Sequence, residues 1–241
     1  MADPIFENSR LVRIYDFLDG DRGDLIPYIS IAKELKAQSI LDIGSGTGCL
    51  ALLAADHGFH VIGVEPAQAS IDWALQKPNA HKVRWIHGDA LSLPPLQVDL
   101  ALMTGNVAQV FLDDHTWELT LISIQKSLNP KGHLVFEVRN PARKAWLEWN
   151  REMTYRRVNI PDVGYVEEWC DLMDLTKELV RFRWTYVFES DGATIKSEST
   201  LRFREQEAIE RSLVECGYKV KEIRDAPDRP KKEFVFISTL K

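Results

Sequence analysis

Along the chain, short apolar runs alternate with stretches whose apolar residues recur every three to four positions. Leu11, Ile14, Tyr15 and Leu18 fall at helical spacing, and Leu25 to Leu35 repeats the pattern after a break at Gly20–Gly23. Ser39 to Ile43 is a short apolar run stopped by Gly44, which predicts a buried strand. The same reading predicts strands over Phe59–Val64, Val83–Ile86, Val98–Met103 and His133–Val138. Helices are expected between them, over Leu50–His57, Ala69–Gln76 and Leu119–Leu128, the last stopped by Asn129-Pro-Lys-Gly132. Strands that are apolar nearly throughout, alternating with helices, predict a parallel sheet covered on both faces.

The period changes after Asn140-Pro141. Ala142 to Arg156 reads as an aromatic-rich helical stretch. From Tyr165 to Phe203 the repeat is two residues: Val180, Phe182, Trp184, Tyr186 and Phe188 share one side, Arg181, Arg183 and Thr185 the other. A turn at Ser190-Asp-Gly192 leads into a returning segment, Thr194–Phe203, so this region is expected to be an antiparallel insertion. Glu205–Cys216 then reads as a helix capped by Gly217, and Tyr218–Ile223 and Glu233–Leu240 as two closing strands.

Composition narrows the class. The 241 residues carry 45% hydrophobic and 27% charged side chains, as an ordinary globular chain with a full core does. A formal net charge of -6 gives no general attraction to phosphate backbones. Arg139, Arg143, Lys144, Arg151, Arg156 and Arg157 make one locally basic stretch, but Glu148 and Glu152 interleave with it and predict an ion-paired helix face, not a nucleic-acid surface. Cys49, Cys170 and Cys216 are far apart, which favours a reducing, cytoplasmic setting over a disulfide framework or zinc site. The six histidines show no paired spacing, so no metal is expected. No secretory leader is read at the N-terminus, and no run reaches the roughly 18 apolar residues a membrane span needs, so no membrane partner is expected.

The chemistry concentrates in Ile40-Leu-Asp-Ile-Gly-Ser-Gly-Thr-Gly48. A strand that ends in glycines and opens a helix lets backbone approach a ligand. A dinucleotide fingerprint would have a third glycine at the position of Cys49; here Gly44, Gly46 and Gly48 form G-x-G-x-G. Cys49 itself is expected as a small buried filler. Glu65 follows Gly44 by 21 residues, one strand–helix–strand step, so both stand at the carboxyl edge of neighbouring strands. A carboxylate there can accept two bonds from a ribose diol.

This segment resembles the glycine-rich loop of class I S-adenosylmethionine-dependent methyltransferases. Four further segments, Val61-Ile-Gly-Val-Glu65, His87-Gly-Asp89-Ala90, Val98-Asp-Leu-Ala-Leu-Met-Thr-Gly-Asn106 and Leu128-Asn-Pro-Lys-Gly-His-Leu-Val-Phe136, resemble the same family in order, with Lys131 replacing a glycine. The resemblance covers about residues 38–140, and the tail from 201 more loosely. It implies a Rossmann-like α/β fold: a doubly wound, mostly parallel seven-stranded sheet with an antiparallel β insertion after the fifth strand. Read so, the whole chain, 1–241, is one methyltransferase domain. Helices occupy 1–37, the cofactor-binding core 38–140 and 201–241, and a substrate lid 141–200.

The resemblance further implies S-adenosylmethionine as cofactor, with S-adenosylhomocysteine as product. Glu65 would hold the ribose and Asp89 the adenine amino group. Tyr15, Asp42, Gly44, Ser45, Gly46, Gly48, Pro66, Ala90, Thr104 and Asn106 would complete the cofactor site. For Asp42 two roles stay open, ligand contact and support of the turn. Asp89 could also cap the turn after it, and Tyr15 could pack in the core. Thr104-Gly-Asn106 departs from the Asn/Asp-Pro-Pro-Tyr type of motif that family members acting on nucleobase amines or glutamine amides carry. The acceptor is therefore expected to be a small molecule, lined by Asn106, Arg139, Trp146, Tyr165 and Trp169. No catalytic residue is assigned, because methyl transfer from a sulfonium chiefly needs alignment and exclusion of water. Two other readings stay open: a catalytically silent binding protein of this fold, and a nucleotide-dependent oxidoreductase.

Overall fold

The computed structural model of the protein describes residues 2–241; Met1, the first residue of the expected helical segment, lies outside them. Two short helices open the chain, α1 (Pro4–Glu7) and α2 (Ser9–Asp19), the second capped by the Asn8 side chain. α3 (Ile26–Glu34) follows a single 3-10 turn. The expected alternation then appears: β1 (Ser39–Ile43), α4 (Cys49–Asp56), β2 (His60–Glu65), α5 (Gln68–Ala74), β3 (Val83–His87), β4 (Val98–Met103), α6 (Asp114–Ser127) and β5 (Leu128–Arg139). After the insertion come α8 (Gln206–Glu215), β10 (Tyr218–Asp225) and β11 (Glu233–Leu240).

These strands form one sheet in the order β10-β11-β5-β4-β1-β2-β3. β1 through β5 pair parallel, and only β11 runs the other way, pairing antiparallel with β5 on one side and with the edge strand β10 on the other. The chain winds one way from β1 to β2 and β3, and the other way from β1 to β4 and β5. Connections therefore diverge at the carboxyl end of β1, where open sheets hold their ligands. Side chains along β5 alternate across the sheet: Val135 joins a cluster with Tyr28, Ala51 and Val235, while Leu134, Phe136 and Val138 join Trp117, Leu121, Ile209 and Leu213.

The insertion carries α7 (Arg151–Thr154) and a second sheet, β6 (Arg156–Ile160), β7 (Gly164–Thr176), β8 (Leu179–Phe188) and β9 (Thr194–Arg202), antiparallel throughout. Its inner face packs on α1 and α2: Leu11, Ile14 and Leu18 meet Val166, Tyr186 and Phe188. The Ser197 hydroxyl accepts from the Ile5 amide at 3.0 Å, and Ser199 donates to Asp3 at 2.5 Å.

The aromatic stretch after Asn140 differs from the expected helix. It is two 3-10 turns, Pro141–Arg143 and Ala145–Glu148, followed by the one-turn α7. Lys144 adopts φ 47°, which ends the first turn, and Asn150 restarts the chain as a helix cap. Without a continuous helix the basic residues cannot pair with Glu148 and Glu152 along one face. Arg156 pairs instead with Glu168 and Arg157 with Glu189, across the lid strands, while Arg151 lies 4.2 Å over the Trp169 ring. Strand β5 is also longer than expected, because Lys131 takes φ 68° and the chain regains sheet pairing with a register shift, not a stop. Among the described residues no helix is long and apolar enough to cross a membrane.

Candidate active site

The glycine loop leaves β1 with its first two amides, Gly44 and Ser45, donating to the Val64 carbonyl at 2.8 and 3.0 Å. Gly44, Gly46 and Gly48 all take positive φ, 69°, 52° and 84°. At two of them neighbours press as well: a Cβ on Gly44 would lie 2.6 Å from Val107, and one on Gly48 would lie 2.5 Å from Trp85. Nothing lies within 4 Å of the corresponding point on Gly46, so the loop is packed at its ends and open at its crest.

Glu65, at the end of β2, reaches back to that crest. Its Oε2 accepts the Gly46 amide at 2.8 Å and its Oε1 the Ala67 amide at 2.9 Å, at 5% exposure. Burial pushes this carboxyl up, against the two amides that favour its charge. Asp42, beneath the loop, is raised further, to about 7, first by burial and then by the Glu65 charge. Its Oδ2 and the Ser45 hydroxyl are buried without a hydrogen-bond partner. Pro66 is exposed and Ala90 buried beside them. Asp89 is exposed and does cap its turn: Oδ1 accepts the amides of Leu91 and Ser92, each at 3.0 Å. That leaves Oδ2 for other bonds.

Helix α2 lies against the loop. Asp16 Oδ1 accepts from Thr47 at 2.5 Å and Cys49 at 3.3 Å; its Oδ2 is 2.5 Å from Lys77 Nζ. Cys49 is thus more than a plain filler: it is half-buried against the core, and its Sγ also reaches Asp16 on α2 and lies 3.5 Å from Lys77 Nζ. Tyr15, one residue before this carboxylate, packs its ring 5.5 Å from Phe6, and burial raises its hydroxyl.

Beyond β4 the loop Thr104–Val107 closes onto the glycine loop through the Gly44–Val107 contact. Gly105 and Asn106 both adopt positive φ, 68° and 64°. The Gly105 amide donates to Glu137 Oε1 at 2.7 Å, and the other Glu137 oxygen accepts from Tyr28. Asn106 Nδ2 donates to Glu233 Oε1 at 3.3 Å, which also receives Arg229 at 2.9 Å and has Arg139 at 3.9 Å. Burial lowers the Arg139 guanidinium, which lies over Trp149 with its carbon 5.6 Å from the ring centre.

Not all sequence candidates converge here. Asp42, Ser45, Glu65, Thr104, Asn106 and Arg139 lie along the carboxyl ends of adjacent strands. Trp146 stacks edge-on against Phe203 at 4.8 Å, inside a lid cluster with Val180 and Leu201. Tyr165 is 42% exposed under Arg157, and Trp169 lies under Arg151, on the face of β7 opposite the buried Val166, Glu168 and Cys170. Sequence reasoning missed Asp16, Glu137, Glu168 and Glu233. For Glu137 a signal existed, a lone acid inside the apolar run His133–Val138; at 2% exposure such a group needs partners.

Known proteins resemble this chain in sequence and in fold. A family profile described as a methyltransferase domain matches residues 40–132. The cypemycin N-terminal methyltransferase of a Streptomyces species is 24% identical over 146 residues, 59% of this chain. The matches to two curated relatives span 60% and 50% of those proteins' own lengths. An S-adenosylmethionine-dependent methyltransferase from Clostridium acetobutylicum superposes with a TM-score of 0.74 at 16% identity, covering 97% of this chain and 98% of that one. A sugar N-methyltransferase from Streptoalloteichus sp superposes at 0.75 and 16% identity, over 91% and 88% of the two chains. Residues 40–132 thus match a methyltransferase-domain profile, in a chain that shares the fold of solved S-adenosylmethionine-dependent methyltransferases.

Proposed function

We propose that this chain transfers a methyl group from S-adenosylmethionine to a small-molecule acceptor by in-line displacement. The observation that carries the reading is the grip of Glu65 on the crest of the glycine loop through Gly46, with open space above that glycine. Each Glu65 oxygen has accepted one amide and keeps a lone pair, enough for a ribose diol. The unpartnered oxygens of Asp42 and Ser45 at the same turn also fit a polar ligand. When bound, S-adenosylmethionine supplies a methyl group on a sulfonium whose leaving group is a neutral thioether.

The protein's work is then binding, alignment and exclusion of water. In this reading Glu65 binds the ribose, and Asp89 offers its free oxygen to the adenine amino group between Pro66 and Ala90. Gly44, Ser45, Gly46 and Gly48 give backbone contact, with Asp42 holding the turn. Thr104 and Asn106 underlie the methionine part, and Tyr15 covers it from α2. The segment 141–200 serves as the acceptor lid, set on the core of 38–140 and 201–241, with Arg139 and Trp146 on its approach. Tyr165 and Trp169 shape the lid's outer face through their stacking with Arg157 and Arg151. A solved neighbour that acts on a sugar supports a small acceptor. The net charge of -6 and widely spaced cysteines support a cytoplasmic enzyme of small molecules over a nucleic-acid or membrane partner.

Calorimetric titration with S-adenosylmethionine and NADH, together with release of S-adenosylhomocysteine over an acceptor library, tests this. Binding of the first compound and turnover of an acceptor are expected. Binding without turnover of any acceptor favours a silent binding protein, and preference for NADH overturns the assignment.

A further inference from the structure

A cavity of about 350 Å³ opens between α3 and the loop 226–232 that joins β10 to β11, within the roughly 300–1,000 Å³ of small-ligand pockets. Ile26, Pro27, Ile31, Pro227 and Val235 give it apolar walls, and Tyr28 lines it as well. Ile26 is 49% exposed there, an apolar side chain left uncovered. None of these residues belongs to the cofactor or acceptor sites described above.

Charge narrows what the cavity holds. Asp24, Asp225 and Asp228 line it, and among the described residues Arg224 is the one cation that does. Each guanidinium nearby is shared by two carboxylates: Arg22 by Asp19 and Asp24, Arg224 by Glu34 and Glu222, Arg229 by Asp228 and Glu233. Asp225 spends one oxygen on a backbone amide, that of Lys231 at 2.6 Å. Lys231 and Lys232 belong to the same loop, but they do not line the cavity. Carboxylates are therefore in excess around apolar walls. Among the described residues no three acidic, histidine or cysteine side chains gather as a metal site, so the cation that fits is an organic one.

One wall leads to the cofactor loop. Tyr28 is 4% exposed, and its hydroxyl donates to one oxygen of Glu137. The other oxygen of Glu137 accepts the Gly105 amide at 2.7 Å. Gly105 starts the turn whose Val107 lies against Gly44. A carboxylate buried to 2% exposure and held from both sides links its two donors, because loss of either leaves an unpaired buried oxygen.

We propose that this cavity is an effector site for a small apolar organic cation, and that Tyr28 couples its occupancy to cofactor binding through Glu137 and Gly105. The site goes beyond the methyl-transfer reading; the coupling rests on it. A ligand packed on Tyr28 fixes its ring, which holds Glu137 to the Gly105 amide and keeps the loop in place against Gly44. The cofactor then meets a loop already ordered, so each ligand tightens the other.

Benzyltrimethylammonium is the probe, since its nitrogen has neither a proton nor a lone pair and cannot accept a methyl group. Benzyl alcohol and benzoate are its neutral and anionic counterparts. Calorimetric titration of protein saturated with S-adenosylhomocysteine, which fills the cofactor crevice, is expected to show the cation bound at least tenfold more tightly than either. The cation should tighten S-adenosylhomocysteine at least threefold, and linkage requires the same factor in reverse. Ile26→Trp fills the cavity from an exposed position, and the Asp225→Asn, Asp228→Asn double variant removes two of its charges. Each should abolish the cation preference while leaving S-adenosylhomocysteine affinity and melting temperature within error. Tyr28→Phe should lose the tightening. Equal binding of the three probes overturns the proposal, as does a cation preference that survives in Ile26→Trp or in the double variant. Cation binding that leaves S-adenosylhomocysteine affinity unchanged or weaker also overturns it, as does tightening that persists in Tyr28→Phe. If wild type binds no S-adenosylhomocysteine, the methyl-transfer reading fails and the coupling with it; S-adenosylhomocysteine binding without cation preference sinks this proposal alone.

Discussion

Asp16 Oδ1 on α2 accepts the Thr47 hydroxyl of the glycine loop at 2.5 Å. The other oxygen of the same carboxylate is 2.5 Å from Lys77 Nζ, beyond α5. Burial acts to raise Asp16, but the hydrogen bonds from Lys77 and Thr47 outweigh it and hold the carboxyl below its usual range. One ionised side chain therefore ties the N-terminal helix, and Tyr15 with it, to the loop that would carry the cofactor.

That tie predicts coupling between helix and ligand. Asp16→Asn should weaken S-adenosylmethionine binding about five- to twentyfold, because α2 loses its charged anchor while the loop's own backbone bonds survive. Thr47→Val should do part of the same damage. The two together should show a coupling energy on the order of 1–2 kcal/mol in a double-mutant cycle read by calorimetry. Strict additivity would mean that the Asp16–Thr47 bond does not transmit to the site.

Glu65 carries two loads, and its variants should separate them. Glu65→Ala leaves the Gly46 and Ala67 amides without their acceptor, so both cofactor affinity and melting temperature should fall. Loss of hydrogen bonds to a charged acceptor amounts to about 1.5–3 kcal/mol in binding. Glu65→Gln keeps one carbonyl oxygen and should recover much of the stability but little of the affinity. A Gln variant that binds as wild type does would remove the carboxylate from the ribose role.

Asp42 should make stability depend on pH near neutrality. Its carboxyl is raised to about 7 in the folded chain, by burial and then by Glu65, from an ordinary value of 3.8. Between those values the folded state binds more protons than the unfolded one, so stability is greatest at the acid end of the window and falls as pH rises toward 7. The slope from one such group is at most about 1.4 kcal/mol per pH unit. Urea unfolding of Asp42→Asn from pH 5 to pH 8 should show a flatter dependence than wild type. Glu65, also raised by burial, keeps some slope in the variant.

How much of this was legible in the sequence depends on the range of each interaction. The glycine loop, Glu65 and the alternation of strands and helices rest on local pattern, and they appear where the spacing puts them. The Asp16–Thr47 bond joins residues 31 apart, and nothing in the periodicity of α2 marks Asp16 as different from an exposed acid. Glu137 and Glu233 become a site only through the pairing of β5 with β11, a register the two segments do not announce separately. The aromatic segment from Ala142 was misread because tryptophans at helical spacing also suit 3-10 turns that pack on a sheet. Tyr165 and Trp169 drew notice as aromatics, although the two-residue repeat already sets them opposite Val166 and Cys170. Parity along a strand was the better guide than residue type.

Gly44 offers the sharpest separation of strain from contact. It has φ 69°, and a Cβ there would meet Val107 at 2.6 and 3.1 Å. Gly44→Ala thus adds a left-handed alanine and a steric collision, and it should destabilise the chain by about 1–3 kcal/mol. The collision also pushes Val107 and the loop through Asn106, so acceptor-side binding should suffer along with cofactor affinity. Val107→Ala on its own should be mild. It should restore part, not all, of the stability of Gly44→Ala, since truncation clears the methyl groups but leaves the backbone strain. Chemical denaturation of the four proteins gives both terms: the part rescued by Val107→Ala is the contact, and the part that persists is φ. Rescue to full wild-type stability would mean the positive φ is not demanded by the loop, and no rescue would mean that Val107 does not press on Gly44.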